Sequence, residues 1–184
     1  MIEIALILGA AFIIAIGLAV WLRLRRDWQA SLARQLASIS YAQHSGIVLP
    51  KADDGVIQID LILLVADGVL VVDTKDVNGV VFGSDRMQEW TVLDGQRRFT
   101  FTNPQSALFD RVAAVRQVLR GVPVDGRLIF ASGARFEKGK PASVASINEL
   151  LDRYPAANRQ SPPATVRAFL TEWAQLEGAA ITPP

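Results

Sequence analysis

Two acidic residues and one lysine interrupt an otherwise apolar stretch of the sequence, Gln58 to Lys75. Asp60 lies in the first apolar run, and Asp73 and Lys75 lie at the end of the second. Two carboxylates together with a backbone carbonyl suit Mg²⁺, a hard ion that prefers oxygen ligands. A lysine beside such an ion can orient or help deprotonate an attacking water, which is the chemistry of phosphodiester hydrolysis. The alternative is an Asp–Lys ion pair that only balances charge.

A β-hairpin is the element that would bring these three side chains together. Asp67-Gly68 divides the stretch into two β-rich runs, and Asp-Gly between such runs is a strong signal of a two-residue hairpin loop. With these two residues as the loop, Asp60 is predicted to lie opposite Lys75 and diagonal to Asp73. Cross-strand neighbours of both kinds are roughly 5–8 Å apart. The sequence therefore predicts two carboxylates and one ammonium group on one face of a sheet.

Composition excludes several classes of site. The 184-residue chain has no cysteine, which excludes disulfides, thiolate metal sites and cysteine nucleophiles. It has one histidine, His44, so one chain cannot form a histidine-rich metal site. The 19 basic and 18 acidic residues give a net charge of +1, so a nucleic acid would have to bind a local basic patch.

The remaining pattern predicts an α/β or α+β domain with a mixed central sheet flanked by helices. Apolar runs bounded by turn residues predict strands at 56–65, 69–74, 80–83, 89–93, 98–102 and 127–131, with a loop at 44–55. Apolar stripes at helical spacing predict helices at 27–40, 103–121, 147–154 and 164–177. The strand that carries Asp60 is apolar on both faces otherwise, so we expect it at or next to the centre of the sheet.

The start of the chain has the pattern of a membrane anchor. Residues 4–22 carry no charge, and such a helix, at about 1.5 Å per residue, approaches the ~30 Å thickness of a bilayer core. Arg23, Arg25 and Arg26 follow at once, and the positive-inside rule places them in the cytoplasm. This predicts a single-pass protein of the cytoplasmic (inner) membrane, with its N-terminus outside and its domain in the cytoplasm. A cleaved signal peptide is less favoured because its basic residues would precede the apolar run.

The central motifs resemble those of a known family. Gln58-Ile59-Asp60, Asp73-Thr74-Lys75, Asn78-Gly79, Trp90 and Asn103-Pro104 follow the order of the NERD domain, the nuclease-related domain of the PD-(D/E)XK nuclease superfamily. The resemblance runs from about Trp28 to about Tyr154. It implies a restriction-endonuclease-like fold and a Mg²⁺- or Mn²⁺-dependent hydrolase that acts on nucleic acid.

The resemblance also implies roles for individual residues. Asp60 and Asp73 would bind the metal, with the Thr74 carbonyl as a third ligand. Lys75 would position the water and stabilise the charge that develops on the phosphate. The auxiliary residues of such a site would be Gln29, Gln58, Asn103 and Gln105.

Two departures from the family pattern keep other functions open. Trp28-Gln29 holds the place of a Gly-Glu pair on the first helix, and Ala107 holds the place of a glutamine that often follows Asn-Pro. A degenerate domain that binds nucleic acid or a protein partner without cutting is therefore the alternative. The third hypothesis is a membrane-anchored adaptor. In every case we expect an anchor and basic flank at 1–26, a nuclease-like domain at 27–155, and a linker with a final helix at 156–184.

Overall fold

The chain forms two compact units, Met1–Gln35 and Leu36–Pro184. The structure is a computed structural model that describes residues 2–51, 55–130 and 133–180, with side chains from residue 12 onward.

The first unit consists of most of one long helix, α1 (Ile2–Ser38). The two helices predicted at 4–22 and 27–40 are continuous because no glycine or proline separates them. Apolar side chains are exposed along this helix, among them Phe12, Ile13 and Ile14. Over the residues that the structure describes, none of the helices combines the length and the apolar character needed to cross a membrane. The predicted transmembrane segment at 4–22 is therefore not supported, and its side chains at 4–11 lie outside the described part.

The second unit is a mixed α/β fold, as predicted. Its strands are β1 (Ala42–Pro50), β2 (Val56–Val65), β3 (Gly68–Lys75), β4 (Gly79–Phe82), β5 (Glu89–Asp94), β6 (Arg97–Thr102), β7 (Val124–Phe130), β8 (Ala134–Arg135) and β9 (Val144–Ala145). Its helices are α2 (Gln105–Val118), α3 (Ile147–Arg153) and α4 (Ala164–Ala179). All six predicted strands and the three predicted helices after residue 100 are present, with bounds shifted by a few residues.

The strands form two sheets rather than one. The larger sheet has the order β1-β2-β3-β7-β9, and the smaller has the order β6-β5-β4-β8. In the larger sheet β2 is antiparallel to both neighbours, whereas β7 runs parallel to β3 and β9. The mixed sheet and the position of β2 next to the central strand confirm the prediction. The second sheet, β6-β5-β4-β8, was not predicted, because local patterns identify a strand but not its partner.

Strand β1 replaces much of the loop predicted at 44–55. It pairs with β2 from Ala42↔Leu64 to Pro50↔Val56. Its buried residues, Ile47 and Leu49, alternate with polar or partly exposed ones, as expected of a strand. Gly46, with a φ of 65°, interrupts this alternation. The turn-forming residues from Pro50 to Gly55 led to the prediction of a loop.

Helix α2 packs closely against the larger sheet. Its predicted apolar stripe is buried, including Leu108, Val112 and Val115. A side chain at Gly126 on β7 would lie 2.7 Å from Val112 Cγ2 and 3.0 Å from Leu108 Cγ. The glycine therefore lets the helix approach β7 at a distance that any larger residue would prevent.

Candidate functional site

The β2–β3 hairpin positions the acidic residues, and its loop differs from the prediction. Val65 pairs with Gly68, so the loop is Ala66-Asp67 and Gly68 is already part of β3. A side chain at Gly68 would collide with Pro123, whose carbonyl accepts a hydrogen bond from the N–H of Val69 at 2.8 Å. This contact with a distant segment holds Gly68 in the strand and moves the loop by one residue.

The shifted loop changes which side chains face each other. Leu61 pairs with Val72, so the same register continued by one residue places Asp60 opposite Asp73. The prediction that Asp60 lies opposite Lys75 was wrong, because the pairing from Leu61↔Val72 to Val65↔Gly68 is shifted by two residues from the predicted register. The side chains still share one face of the sheet, since opposite residues and residues two apart both do so.

Asp73 is buried and is only partly neutralised. Its side chain is 2% exposed, and Oδ2 accepts a hydrogen bond from Arg111 Nη1 at 2.9 Å. Lys75 Nζ lies 4.0 Å from the same oxygen. The other oxygen, Oδ1, is buried and has no hydrogen-bond partner among the described residues. Leaving a buried polar atom without a partner is costly, so the surroundings of Oδ1 leave its hydrogen-bonding capacity unmet within the described residues.

Burial raises the pKa of the Asp73 carboxyl above its ordinary value. The positive charges of Arg111 and Lys75 oppose this shift, and the negative charge of Asp60 adds to it. The pKa therefore responds to all three neighbours, as expected of charged groups that lie near one another.

Arg111, on α2, is the residue of the cluster that sequence reasoning missed. Its Nε donates to the carbonyl of Gln58 on β2 at 2.9 Å, while Nη1 donates to Asp73 on β3. It lies three residues after Leu108 and one before Val112, at the edge of the buried stripe. An arginine that flanks the apolar stripe of a helix packed on acid-bearing strands is a signal that could have found it.

The space beside Asp60 is open. Ser45 pairs with Leu61 and Ile47 with Ile59, so Gly46 stands opposite Asp60 on the other side of β2. A side chain at Gly46 would have no other atom within 4 Å. Asp60 itself is exposed, so a ligand from solvent can reach its carboxylate.

Two predicted auxiliary residues form a separate cluster of hydrogen bonds. Asn103 Nδ2 donates to the Met87 carbonyl at 2.8 Å, and Asn103 Oδ1 accepts from the N–H of Gln105 at 2.9 Å. Gln105 Nε2 donates to Asp85 Oδ1 at 2.7 Å and to Ser143 Oγ at 2.9 Å. These bonds fix the start of α2 to two loops and do not include the carboxylate cluster.

Three further residues were predicted to belong to the site: Gln58, Thr74 and Gln29. Gln58 adjoins the cluster through its backbone carbonyl, and its side chain is exposed. Thr74 lies between Asp73 and Lys75 on β3, and the ligand role of its carbonyl stays a prediction. Gln29 is exposed on the helix of the first unit, and its auxiliary role likewise stays a prediction.

The residues present fit a divalent cation. Asp60 and Asp73 supply two carboxylates from adjacent strands, and Asp73 Oδ1 is buried without a partner in the described part of the chain. The described residues contain no group of three or more acidic, histidine or cysteine side chains that could hold a metal. Backbone oxygens and waters would therefore complete the coordination, which is usual for Mg²⁺.

Comparisons with known proteins show which family the part of the chain that contains this cluster resembles. A family model described as NERD, the nuclease-related domain, matches residues 25–131, more than half of the chain. An uncharacterised protein of Bacillus anthracis is 29% identical over 79 residues, which are 43% of this chain and 37% of that protein. The match thus spans well under half of that relative's length. No solved structure matches the chain.

Proposed function

The chain belongs to the nuclease-related domain family, and from that premise we propose that it is a divalent-metal-dependent nuclease that hydrolyses phosphodiester bonds in a nucleic acid. One observation carries the proposal. The register of the β2–β3 hairpin, continued one residue beyond Leu61↔Val72, brings Asp60 towards Asp73, and one buried oxygen of Asp73 has no partner among the described residues. Lys75 lies beside them, 4.0 Å from Asp73.

The distribution of charges favours a ligand site over a simple ion pair. Arg111 and Lys75 both approach Oδ2 of Asp73, and neither satisfies Oδ1. Asp60, whose negative charge acts on the same carboxylate, is exposed to solvent. A cluster that served only to balance charge would be expected to bond its most buried oxygen as well.

Asp60 and Asp73 would hold Mg²⁺ or Mn²⁺, with the Thr74 carbonyl as the third ligand from the protein. When bound, such an ion polarises a phosphoryl oxygen and lowers the pKa of a coordinated water. Asp73 would contribute Oδ1, since Oδ2 is held by Arg111.

Lys75 and Arg111 would have different roles. The Lys75 side chain is 31% exposed, so its ammonium group can reach a substrate phosphate and the attacking water while it remains near Asp73. Its positive charge would stabilise the negative charge that develops on the phosphate in the transition state. Arg111 makes two hydrogen bonds to the strands, so its role is to hold Asp73 in place.

Calorimetric titration of the full-length protein with Mg²⁺ and Mn²⁺, combined with a cleavage assay on DNA and RNA, tests the proposal. We expect the wild type to bind both ions and to cleave at least one substrate only when an ion is present. Asp60→Asn should lose most of the binding, whereas Asp152→Asn, which removes an exposed carboxylate on α3, should not. If neither ion binds at millimolar concentration, the protein is not a metal-dependent nuclease.

Binding of nucleic acid or a protein partner without cleavage is the second candidate. It is favoured because Arg111 and Lys75 already supply two positive charges beside the carboxylates, so the site can be neutral without a metal ion. It predicts a nucleic-acid complex in a mobility-shift assay, no products with either metal ion, and retained binding in Asp60→Asn.

We also propose that residues 4–22 attach the protein to the cytoplasmic membrane, with the second unit in the cytoplasm. Three consecutive apolar side chains on α1, Phe12, Ile13 and Ile14, are 68%, 71% and 70% exposed, and Arg23, Arg25 and Arg26 follow them. Detergent should be needed to release the wild type from the membrane fraction, whereas Ile13→Lys combined with Ile14→Lys should shift it to the supernatant. A reporter fused after residue 184 should be active in the cytoplasm, and activity on the outer side would contradict this orientation.

A further inference from the structure

We infer that Arg111 determines which divalent ion the site accepts, by restricting Asp73 to a single ligating oxygen. The inference rests on the proposed metal-dependent function and adds a specificity-determining residue to it. Arg111 itself would not touch the ion.

Arg111 fixes one oxygen of the Asp73 carboxylate by a hydrogen bond. Nη1 donates to Asp73 Oδ2 at 2.9 Å, and Nε donates to the Gln58 carbonyl at 2.9 Å. The guanidinium group is planar and rigid, so it cannot leave Oδ2 without weakening the bond to the neighbouring strand. Lys75 Nζ, 4.0 Å away, adds positive charge at the same oxygen. Oδ2 is thereby closed to a cation.

The packing around Asp73 restricts the rotation of its side chain. It lies on the central strand β3 between β2 and β7, and it is 2% exposed. Helix α2 covers this part of the sheet closely, since Gly126 leaves no room for a side chain between β7 and the helix. Rotation of the carboxylate to present both oxygens would break the bond to Arg111 inside a packed interior. Only Oδ1, which has no partner among the described residues, is available to an ion.

Ca²⁺ and Mg²⁺ differ in the number and geometry of the oxygen ligands that they prefer. Ca²⁺ takes about 6–8 oxygen ligands and readily accepts both oxygens of one carboxylate. Mg²⁺ requires near-octahedral geometry, keeps several waters and uses one or two carboxylates. A site in which Asp73 offers one oxygen therefore disfavours Ca²⁺ relative to Mg²⁺ and Mn²⁺. Release of Oδ2 would remove this disadvantage.

Calorimetric titrations of the full-length protein with Mg²⁺, Mn²⁺ and Ca²⁺ test the inference. The measured quantity is the ratio of Ca²⁺ to Mg²⁺ affinity, so a general loss of affinity cancels. We expect this ratio to rise by about tenfold in Arg111→Gln, which frees Oδ2 for bidentate ligation. Arg111→Lys keeps the charge but cannot bond both strands in the same way, so its ratio should lie between those of Arg111→Gln and the wild type.

Arg116→Gln is the matched control. Arg116 also lies on α2 and donates to a strand carbonyl, that of Val124, at 2.6 Å. If arginines on this helix only fasten it to the sheet, both Gln variants will lose thermal stability and neither will change the affinity ratio. That result would overturn the inference while Mg²⁺ binding by the wild type upholds the proposed function. If circular dichroism shows that Arg111→Gln does not fold, the ratio of Ca²⁺ to Mg²⁺ affinity is compared between Arg111→Lys and the wild type instead. An unchanged ratio in Arg111→Lys would then overturn the inference. A wild type that binds no ion would overturn both proposals.

Discussion

The guanidinium group of Arg111 donates to Oδ2 of Asp73 at 2.9 Å, and the second oxygen of that carboxylate has no partner among the described residues. The residue that stabilises the buried acid thus leaves one of its oxygens available. Arg111 belongs to α2, whereas Asp73 belongs to the central strand, so packing of the helix and the state of the site are coupled.

The Arg111–Asp73 pair should stabilise the fold. Arg111→Gln leaves a 2% exposed carboxylate without its closest cation, and loss of one partner of such a pair costs about 3 kcal/mol of unfolding free energy. Urea unfolding of the full-length protein in EDTA measures this value. Arg116→Gln, which loses one bond to a carbonyl, should cost only about 1 kcal/mol.

The double variant Arg111→Gln with Asp73→Asn gives the stricter test of that pair. Because both charges are then absent, it should be less destabilised than the sum of the two single variants, with a coupling of about 1–3 kcal/mol. Simple additivity would show that the two side chains do not interact in solution.

Stability should fall as pH rises because of Asp73. Burial raises the pKa of its carboxyl above the ordinary value of 3.8, so the native protein holds this proton at pH values where the unfolded chain has released it. The stabilising contribution is complete below the unfolded pKa and is lost as pH rises through the native one. Urea unfolding between pH 4 and about 7 in EDTA should therefore show the wild type losing stability relative to Asp73→Asn. A gain relative to that variant would contradict the expected direction.

Gly126→Ala should disturb the site from a distance. The new methyl group would lie 2.7 Å from Val112 Cγ2, so α2 has to move away from β7 and carry Arg111 with it. We expect a loss of about 1–3 kcal/mol of unfolding free energy and weaker binding of Mg²⁺. Gly178→Ala near the end of α4, where a side chain would meet no atom within 4 Å, is the control. Unchanged Mg²⁺ binding in a destabilised Gly126→Ala would show that the position of α2 does not govern the site.

Local patterns in the sequence were sufficient to predict six of the nine strands in the described part of the chain, the later helices and the three charged residues of the hairpin. Asp60, Asp73 and Lys75 stand out because each breaks an apolar run, and Leu108 and Val112 because of their helical spacing. These signals depend only on neighbours in the sequence, so they can be recognised without knowledge of the fold.

Features that depend on distant segments could not be predicted in the same way. The hairpin loop is displaced because Gly68 packs against Pro123, and the sequence near Asp67 contains no sign of that contact. Arg111 reaches Asp73 only after α2 has packed on the sheet. The division into two sheets likewise follows from pairing partners rather than from the strands themselves.

Lys75→Ala should separate metal binding from cleavage. The variant loses a positive charge 4.0 Å from Asp73, so repulsion of a divalent ion decreases and Mg²⁺ should bind as well as in the wild type or more tightly. Cleavage of the nucleic acid should nevertheless fall by orders of magnitude, because Lys75 would orient the water and stabilise the phosphate in the transition state. If Lys75 were only a partner of Asp73, the variant would unfold more easily and any residual activity would follow the folded fraction. Mg²⁺ titration and single-turnover cleavage at saturating metal, compared with Lys138→Ala in an exposed loop, distinguish these outcomes.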